Sequence, residues 1–151
     1  MDVLVEQHRA ITRMLGALRR ESYHRDRLFA RLRSELSLHL TVEVHVLYPA
    51  VARTIPKGGA GLKVLRLANE TLASVASPNR RSPDEVMRVC SQVDVLFSVH
   101  AAVQEQELFP ACKAQLDAER LEEIRSDIES FYWGLRARSL GRPGAELHPP
   151  G

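Results

Sequence analysis

Along most of the chain, apolar positions recur at alternating intervals of three and four, the period of helices that bury one face. Leu4, His8, Ile11, Leu15 and Leu18 form one stripe, and Phe29, Leu32, Leu36, His39, Glu43, Val46 and Ala50 form a second. A third runs through Leu62, Leu65, Asn69, Leu72 and Ala76. The fourth is Val86, Val89, Val93, Leu96, His100, Val103, Glu107 and Ala111, and the fifth is Leu121, Ile124, Ile128, Phe131 and Leu135. No stretch sustains the period-two alternation of a half-buried strand. Proline and glycine punctuate the pattern at 56–61, at 77–83 and from Gly141 onward. Ser82, Pro83 and Glu85 have the spacing of an N-cap, a first-turn proline and a capping box, and Asp117 stands where the fifth helix needs its cap. The pattern predicts an all-α protein: an antiparallel up-down four-helix bundle over residues 1–139 with an additional C-terminal helix, and a flexible tail over 140–151.

Polar residues interrupt these seams at informative places. His8, His39 and His100 each take a core-facing position in a separate helix, and Glu43 lies one turn beyond His39 on the same face. Burying a carboxylate in an apolar bundle is expensive unless a cation or hydrogen bonds compensate it. Imidazoles and a carboxylate converging from several helices point to a bound metal, and nitrogen with oxygen donors suits iron, zinc or manganese. A buried ion pair between Glu43 and an arginine such as Arg9 or Arg13 is the competing explanation. His24 falls at a helix end, His45 off the seam and His148 in the tail, so none of them joins this set.

An internal repeat at an offset of 61 residues strengthens the pattern. The segment from His39 through Val42, Glu43, Leu47, Tyr48, Pro49 and Ala50 aligns with His100, Val103, Gln104, Leu108, Phe109, Pro110 and Ala111. A proline within a helix costs about 3 kcal/mol. One placed ten residues after each buried histidine therefore marks two related half-sites with a common helix ending.

Composition narrows the function classes. The chain has 151 residues, 44% hydrophobic and 26% charged, which is ordinary globular usage. The formal charge of +2 and an aromatic content of 5% give no basis for nucleic-acid or membrane-surface binding. Of the 21 basic residues only Lys57, Lys63 and Lys113 are lysines, and the arginines are interleaved with acids rather than clustered. Two cysteines, Cys90 and Cys112, make neither a disulfide framework nor a Cys-x-x-Cys site. Uninterrupted apolar runs are too short to cross a bilayer, and the acidic start Asp2 to Glu6 is unlike a signal peptide, so a cytoplasmic location is expected. With no nucleophile–base pair and no phosphate loop in the sequence, any catalysis would be metal-centred redox chemistry such as peroxide breakdown.

With its twin His…Leu-aromatic-Pro segments, the sequence resembles the hemerythrin-like family, the HHE cation-binding domains, over roughly residues 2–115. The resemblance implies a four-helix bundle holding a non-haem di-iron site bridged by two carboxylates. It further implies a role in binding or sensing O2, peroxide or NO, or in handling iron. By the same resemblance His8 matches the first-helix ligand, His39 and Glu43 the second-helix pair, and His100 the last-helix histidine. For the second acid, the four-residue spacing from His100 falls on Gln104, which cannot bridge as an anion. Glu105 fits the five-residue spacing of the oxygen-carrying members, whereas Glu107 is nearer to the face of His100 on a regular helix. A distortion at Pro110 would settle the choice, and Glu105 is taken here. The family's third-helix histidines are absent: Asn69 and Ala73 stand in that seam. This inventory keeps the donors for one metal and leaves His100 nearly alone for a second. The metal set expected is thus His8, His39, Glu43, His100 and Glu105, holding one or two ions of iron, with zinc or manganese as alternatives. A degenerate, metal-free bundle acting as an interaction or regulatory module is the rival from a different class, and a single-zinc protein is another.

Overall fold

In this computed structural model the residues described are 1–20, 23–52, 68–73 and 82–140. They are helical almost throughout, and no strand occurs among them. Helix α1 spans Asp2–Arg20. Helix α2, Arg25–Val42, runs directly into a π-helical turn, π1, at Glu43–Leu47, and then into α3, Tyr48–Ala52. Residues 68–73 form α4. A second continuous rod consists of α5 at Pro83–Val103, a π-helical turn π2 at Gln104–Leu108, and α6 at Phe109–Gln115. Helix α7 is Ala118–Leu140. Most of the glycine loop, the second Pro/Ser-rich loop and the tail after Leu140 lie outside the described residues, as do Leu62, Leu65 and Ala76 of the third seam.

Local signals place the ends as the sequence predicts. The Ser82 side chain accepts from the Glu85 N–H, and the Glu85 carboxylate accepts from the Ser82 N–H, which completes the capping box. At α7, Asp117 Oδ1 accepts from the Arg120 N–H at 2.8 Å. Helix α1 packs on α2, α5 and α7, and α7 also lies along α2 and π1. Two ion pairs join helices that are distant in sequence. Arg136 on α7 reaches both oxygens of Glu35 on α2, at 3.1 and 3.0 Å, and Arg19 on α1 meets Asp94 on α5.

The two π turns change the register of the core. In each, the residue that follows donates its N–H five residues back, Tyr48 to Glu43 and Phe109 to Gln104. A proline comes next in both rods, Pro49 and Pro110, and it has no N–H to return to the preceding turn. His45 Nδ1 lies 3.0 Å from the Thr41 carbonyl in the same region. The wide turn carries one extra residue, so the seam advances by one position. Below His100 the buried residues are Gln104, Leu108, Phe109 and Cys112, whereas Val103 and Ala111 are half-buried and Glu107 is exposed. This corrects the seam expected for the fourth helix, which assumed an unbroken 3.6-residue period.

The interior has two apolar clusters. One holds Ile11, Leu15, Leu18, Phe29, Leu32, Leu36, Leu72, Val86, Val89, Val93 and Phe97. The other gathers Leu4, Val42, Leu47, Tyr48, Val51, Leu108, Phe109, Cys112, Leu116, Ile124 and Ile128. On α1 His8 falls between Leu4 of one cluster and Ile11 of the other; on α2 the clusters meet around His39, with Leu38 in one and Leu40 in the other. By length and composition alone the rod Asp84–Gln115 is apolar enough to cross a membrane, which the short apolar runs did not predict. Its face Val86, Val89, Val93 and Phe97 is nevertheless buried in the core, as in the interior helix of a bundle.

Phe97 is 1% exposed. Replacing it with Ala is expected to cost about 3–5 kcal/mol in urea unfolding. Val95→Ala, on the exposed side of the same helix, is expected to stay within about 0.5 kcal/mol. Equal losses at the two positions would contradict this placement of the core.

Candidate metal centre

Among the described residues the buried polar or charged side chains are Gln7, His8, His39, Glu43, Asn69, His100 and Gln104, and all of them belong to one layer. The spacing of four within a helix puts Glu43 one turn from His39 on a single face, and His39 Nε2 lies 2.9 Å from Glu43 Oε1. His100, from α5, brings its Nε2 to 3.0 Å from the same oxygen and 3.3 Å from His39 Nε2. His8 joins from α1, its ring 4.9 Å from that of His39 and 5.9 Å from that of His100. One donor atom from each of His8, His39, Glu43 and His100 lies within 4.8 Å of the others.

Glu105 lies outside this group. Its carboxylate is hydrogen-bonded to His8 Nδ1 at 2.7 Å, from a side chain that remains 39% exposed. Glu105 therefore acts on the cluster through His8, by fixing which ring nitrogen carries the proton. Gln7 does the same for His39, its Oε1 lying 3.2 Å from His39 Nδ1. The one signal for Gln7 in the chain is its place between Leu4 and Ile11 on the buried side of α1. Glu107 and His45 are exposed, as are Arg9 and Arg13, so neither of these arginines forms a buried pair with Glu43.

Five groups surround the Glu43 carboxylate. His39, His100 and Gln104 Nε2 meet Oε1, while Asn69 Nδ2 at 2.8 Å and the Tyr48 hydroxyl at 3.0 Å donate to Oε2. Gln104 Nε2 also donates to the Tyr48 oxygen at 3.1 Å. Burial alone would raise the Glu43 carboxyl, but the His39 and His100 imidazoles outweigh it and hold the group well below the usual carboxylate range. Tyr48 shifts the other way. Burial, and then the facing Glu43 charge, push its phenol far up, so it stays a neutral donor. His8 is lowered to about 4, chiefly by burial and then by the neighbouring His39, despite its hydrogen bond to Glu105.

Aromatic rings close the layer on both sides. Phe97 lies 5.6–5.8 Å from the rings of His8, His39 and His100. Phe109 lies parallel to His8 at 6.4 Å from the other cluster. Within this buried layer His8 Nε2, His100 Nδ1, Gln7 Nε2 and Gln104 Oε1 have no hydrogen-bond partner among the protein groups. A neutral imidazole with a buried, unpartnered nitrogen is a metal donor in waiting. Metal–nitrogen bonds of about 2.1 Å imply donor separations of roughly 3.0 Å in an octahedral site and 3.4 Å in a tetrahedral one. The triangle of His39 Nε2, His100 Nε2 and Glu43 Oε1, with sides of 2.9, 3.0 and 3.3 Å, fits one cation.

Comparison with known families agrees with this geometry. The family model described as "Hemerythrin HHE cation binding domain" matches residues 1–77, half of the chain and the half that carries His8, His39, Glu43 and Asn69. No curated protein and no solved structure matches the chain.

The His8 environment has a consequence for stability. Its ordinary value is 6.5 and its folded value is about 4, so between them the unfolded chain holds a proton that the folded chain refuses. Stability is then complete above pH 6.5 and falls as the pH drops towards 4, by on the order of 3 kcal/mol. Below that window Glu43, whose folded value is depressed, extends the loss as its carboxylate is protonated. Urea midpoints of chelator-treated protein from pH 7.5 to 4.5 should show the decline, and His8→Gln should flatten it. A wild-type midpoint unchanged across the range would exclude this protonation cost.

Proposed function

The chain belongs to the hemerythrin HHE cation-binding domain family, and on that premise we propose that it binds non-haem iron at the centre of its helical bundle. The ligands in this reading are His8, His39, Glu43 and His100, with Glu105 and Gln7 holding two of the imidazoles in position. The observation that carries it is the triangle of His39 Nε2, His100 Nε2 and Glu43 Oε1 beside the unpartnered His8 Nε2. Imidazole and carboxylate donors suit iron and also accept zinc or manganese. We further propose that the bundle is an antiparallel four-helix one with α7 as an added helix, a reading supported by the packing of α1 against α2 and α5.

Iron bound there would supply a redox couple and an open position for O2, peroxide or NO. The protein's own part is to shield the site with Phe97 and Phe109 and to orient His8 and His39, through Glu105 and Gln7 at their Nδ1 atoms, with Nε2 toward the site. A cytoplasmic location, with a small diatomic or peroxide ligand and no nucleic-acid or membrane partner, completes the proposal. One observation favours a second reading. Asn69, Gln104 and Tyr48 already satisfy Glu43 with hydrogen bonds, as they would in a metal-free bundle serving as an interaction or regulatory module.

Elemental analysis and an optical spectrum of protein expressed in iron-rich medium separate these readings. Stoichiometric iron with a charge-transfer band is the expected result. Zinc alone would replace iron by a redox-inert ion, and no metal at all would leave the interaction module. His39→Ala is expected to abolish metal uptake, whereas His45→Ala, on the exposed side of π1, should keep it. Equal uptake by the two variants would remove the site assignment.

A further inference from the structure

We infer that this bundle holds a single metal ion, because neutral donors from Asn69 and Tyr48 occupy the Glu43 oxygen that a second ion would need, and Gln104 stands as an amide where the repeat would place a second carboxylate. The inference rests on the metal-binding reading above and specifies the capacity of that same site. It departs from the two-ion centre that resemblance to the family implies.

A carboxylate that bridges two cations must give one oxygen to each. Here Oε1 faces His39 and His100, and Oε2 faces neither. Instead Oε2 accepts two hydrogen bonds, from Asn69 Nδ2 at 2.8 Å and from the Tyr48 hydroxyl at 3.0 Å. Donor hydrogens point where a cation's charge would sit, so an ion at Oε2 would have to displace both; at Oε1 only the Gln104 amide must turn aside, since the two imidazoles there are themselves metal donors.

The repeat at 61 residues shows what has been exchanged. Gln104 holds the place in α5–π2 that Glu43 holds in α2–π1, and each opens its π turn. Both side chains are wholly buried. The amide gives the position of a carboxylate without its charge, and its Nε2 bonds to Glu43 Oε1 and to the Tyr48 oxygen. Glu43 is then the sole buried carboxylate among the described residues. Two divalent ions would bring four positive charges into an apolar interior against that one negative charge, with Glu105 part-exposed and engaged by His8. One ion leaves a charge that Glu43 and Glu105 together can balance.

Chelator-treated full-length protein, titrated anaerobically with Fe(II) and desalted before elemental analysis, tests this directly. Saturation at one ion per chain is expected. The isosteric double variant Asn69→Asp/Gln104→Glu turns the donors into carboxylates and should raise the ratio from one to two. Co(II) titration followed by visible absorption gives an independent count, with a second set of bands expected in the double variant alone. Two ions per wild-type chain would overturn the inference while leaving the metal-binding reading intact. No ion in the wild type would overturn the metal-binding reading itself. If the double variant, with its helical circular dichroism retained, still takes one ion, the Asn69 and Gln104 amides are not what excludes the second, and the inference is overturned. Because the wild-type ratio is decisive alone, the test survives a variant that fails to fold.

Discussion

Glu43 is wholly removed from solvent in a bundle whose interior is otherwise apolar apart from the same layer, and the cost of that burial governs what surrounds it. Each helix that reaches the layer supplies a group that answers the charge. α2 gives His39, α4 gives Asn69, and the α5–π2 rod gives His100 and Gln104, with Tyr48 following directly on Glu43's own π turn. α1 contributes one step out, with Gln7 turning His39 and His8 standing beside it. Removing any one donor leaves the others to carry an under-compensated anion, so the layer behaves as a unit rather than as independent contacts.

The placement of this layer between two apolar clusters follows from the helix sequences themselves. Three seams are interrupted at a matching height, with an apolar cluster on either side of the interruption. Phe97 and Phe109 are the last apolar rings before the polar plane from the two directions. A buried plane sharpens electrostatics. It lowers the His8 imidazole, raises the Tyr48 phenol and leaves ring nitrogens bare that would be hydrated at a surface.

Much of this was legible in the chain. The seams of α1, α2 and α7, the caps at Ser82 and Asp117, and the convergence of His8, His39, Glu43 and His100 follow from period and spacing. The reading fell short where the period itself changes. Two π turns add a residue each, and a fixed 3.6-residue count past His100 assigns Val103 and Glu107 to a face that Gln104 and Leu108 occupy. Proline ten residues after each histidine was the visible trace of that distortion. Pairings between distant helices were beyond reach: nothing local tells that Glu105 meets His8 across 97 residues, or that Asn69 meets Glu43. Gln7 was hidden because a glutamine inside a stripe carries no sign of which way its amide is turned.

The duplicated segment also shows how one architecture can divide its tasks. At corresponding positions the first copy carries Glu43 and Tyr48, and the second carries Gln104 and Phe109. These two differences depend on each other. Tyr48 needs an acceptor for its hydroxyl hydrogen and finds Glu43, while its oxygen needs a donor and finds Gln104. A carboxylate at 104 could offer no such hydrogen when ionised. It would also set a second negative charge beside Glu43, a pair that only a cation between them could stabilise. On the other side a hydroxyl on Phe109, whose ring lies parallel to His8, would bring a polar group into the apolar cluster that closes the layer. The copy with the acid holds the charge, and the copy with the amide supplies hydrogens that quiet one side of it. The asymmetry is thus a matched set of residues rather than scattered loss, and it leaves Oε1 of Glu43 to the imidazoles and the Gln104 amide while Asn69 and Tyr48 hold Oε2.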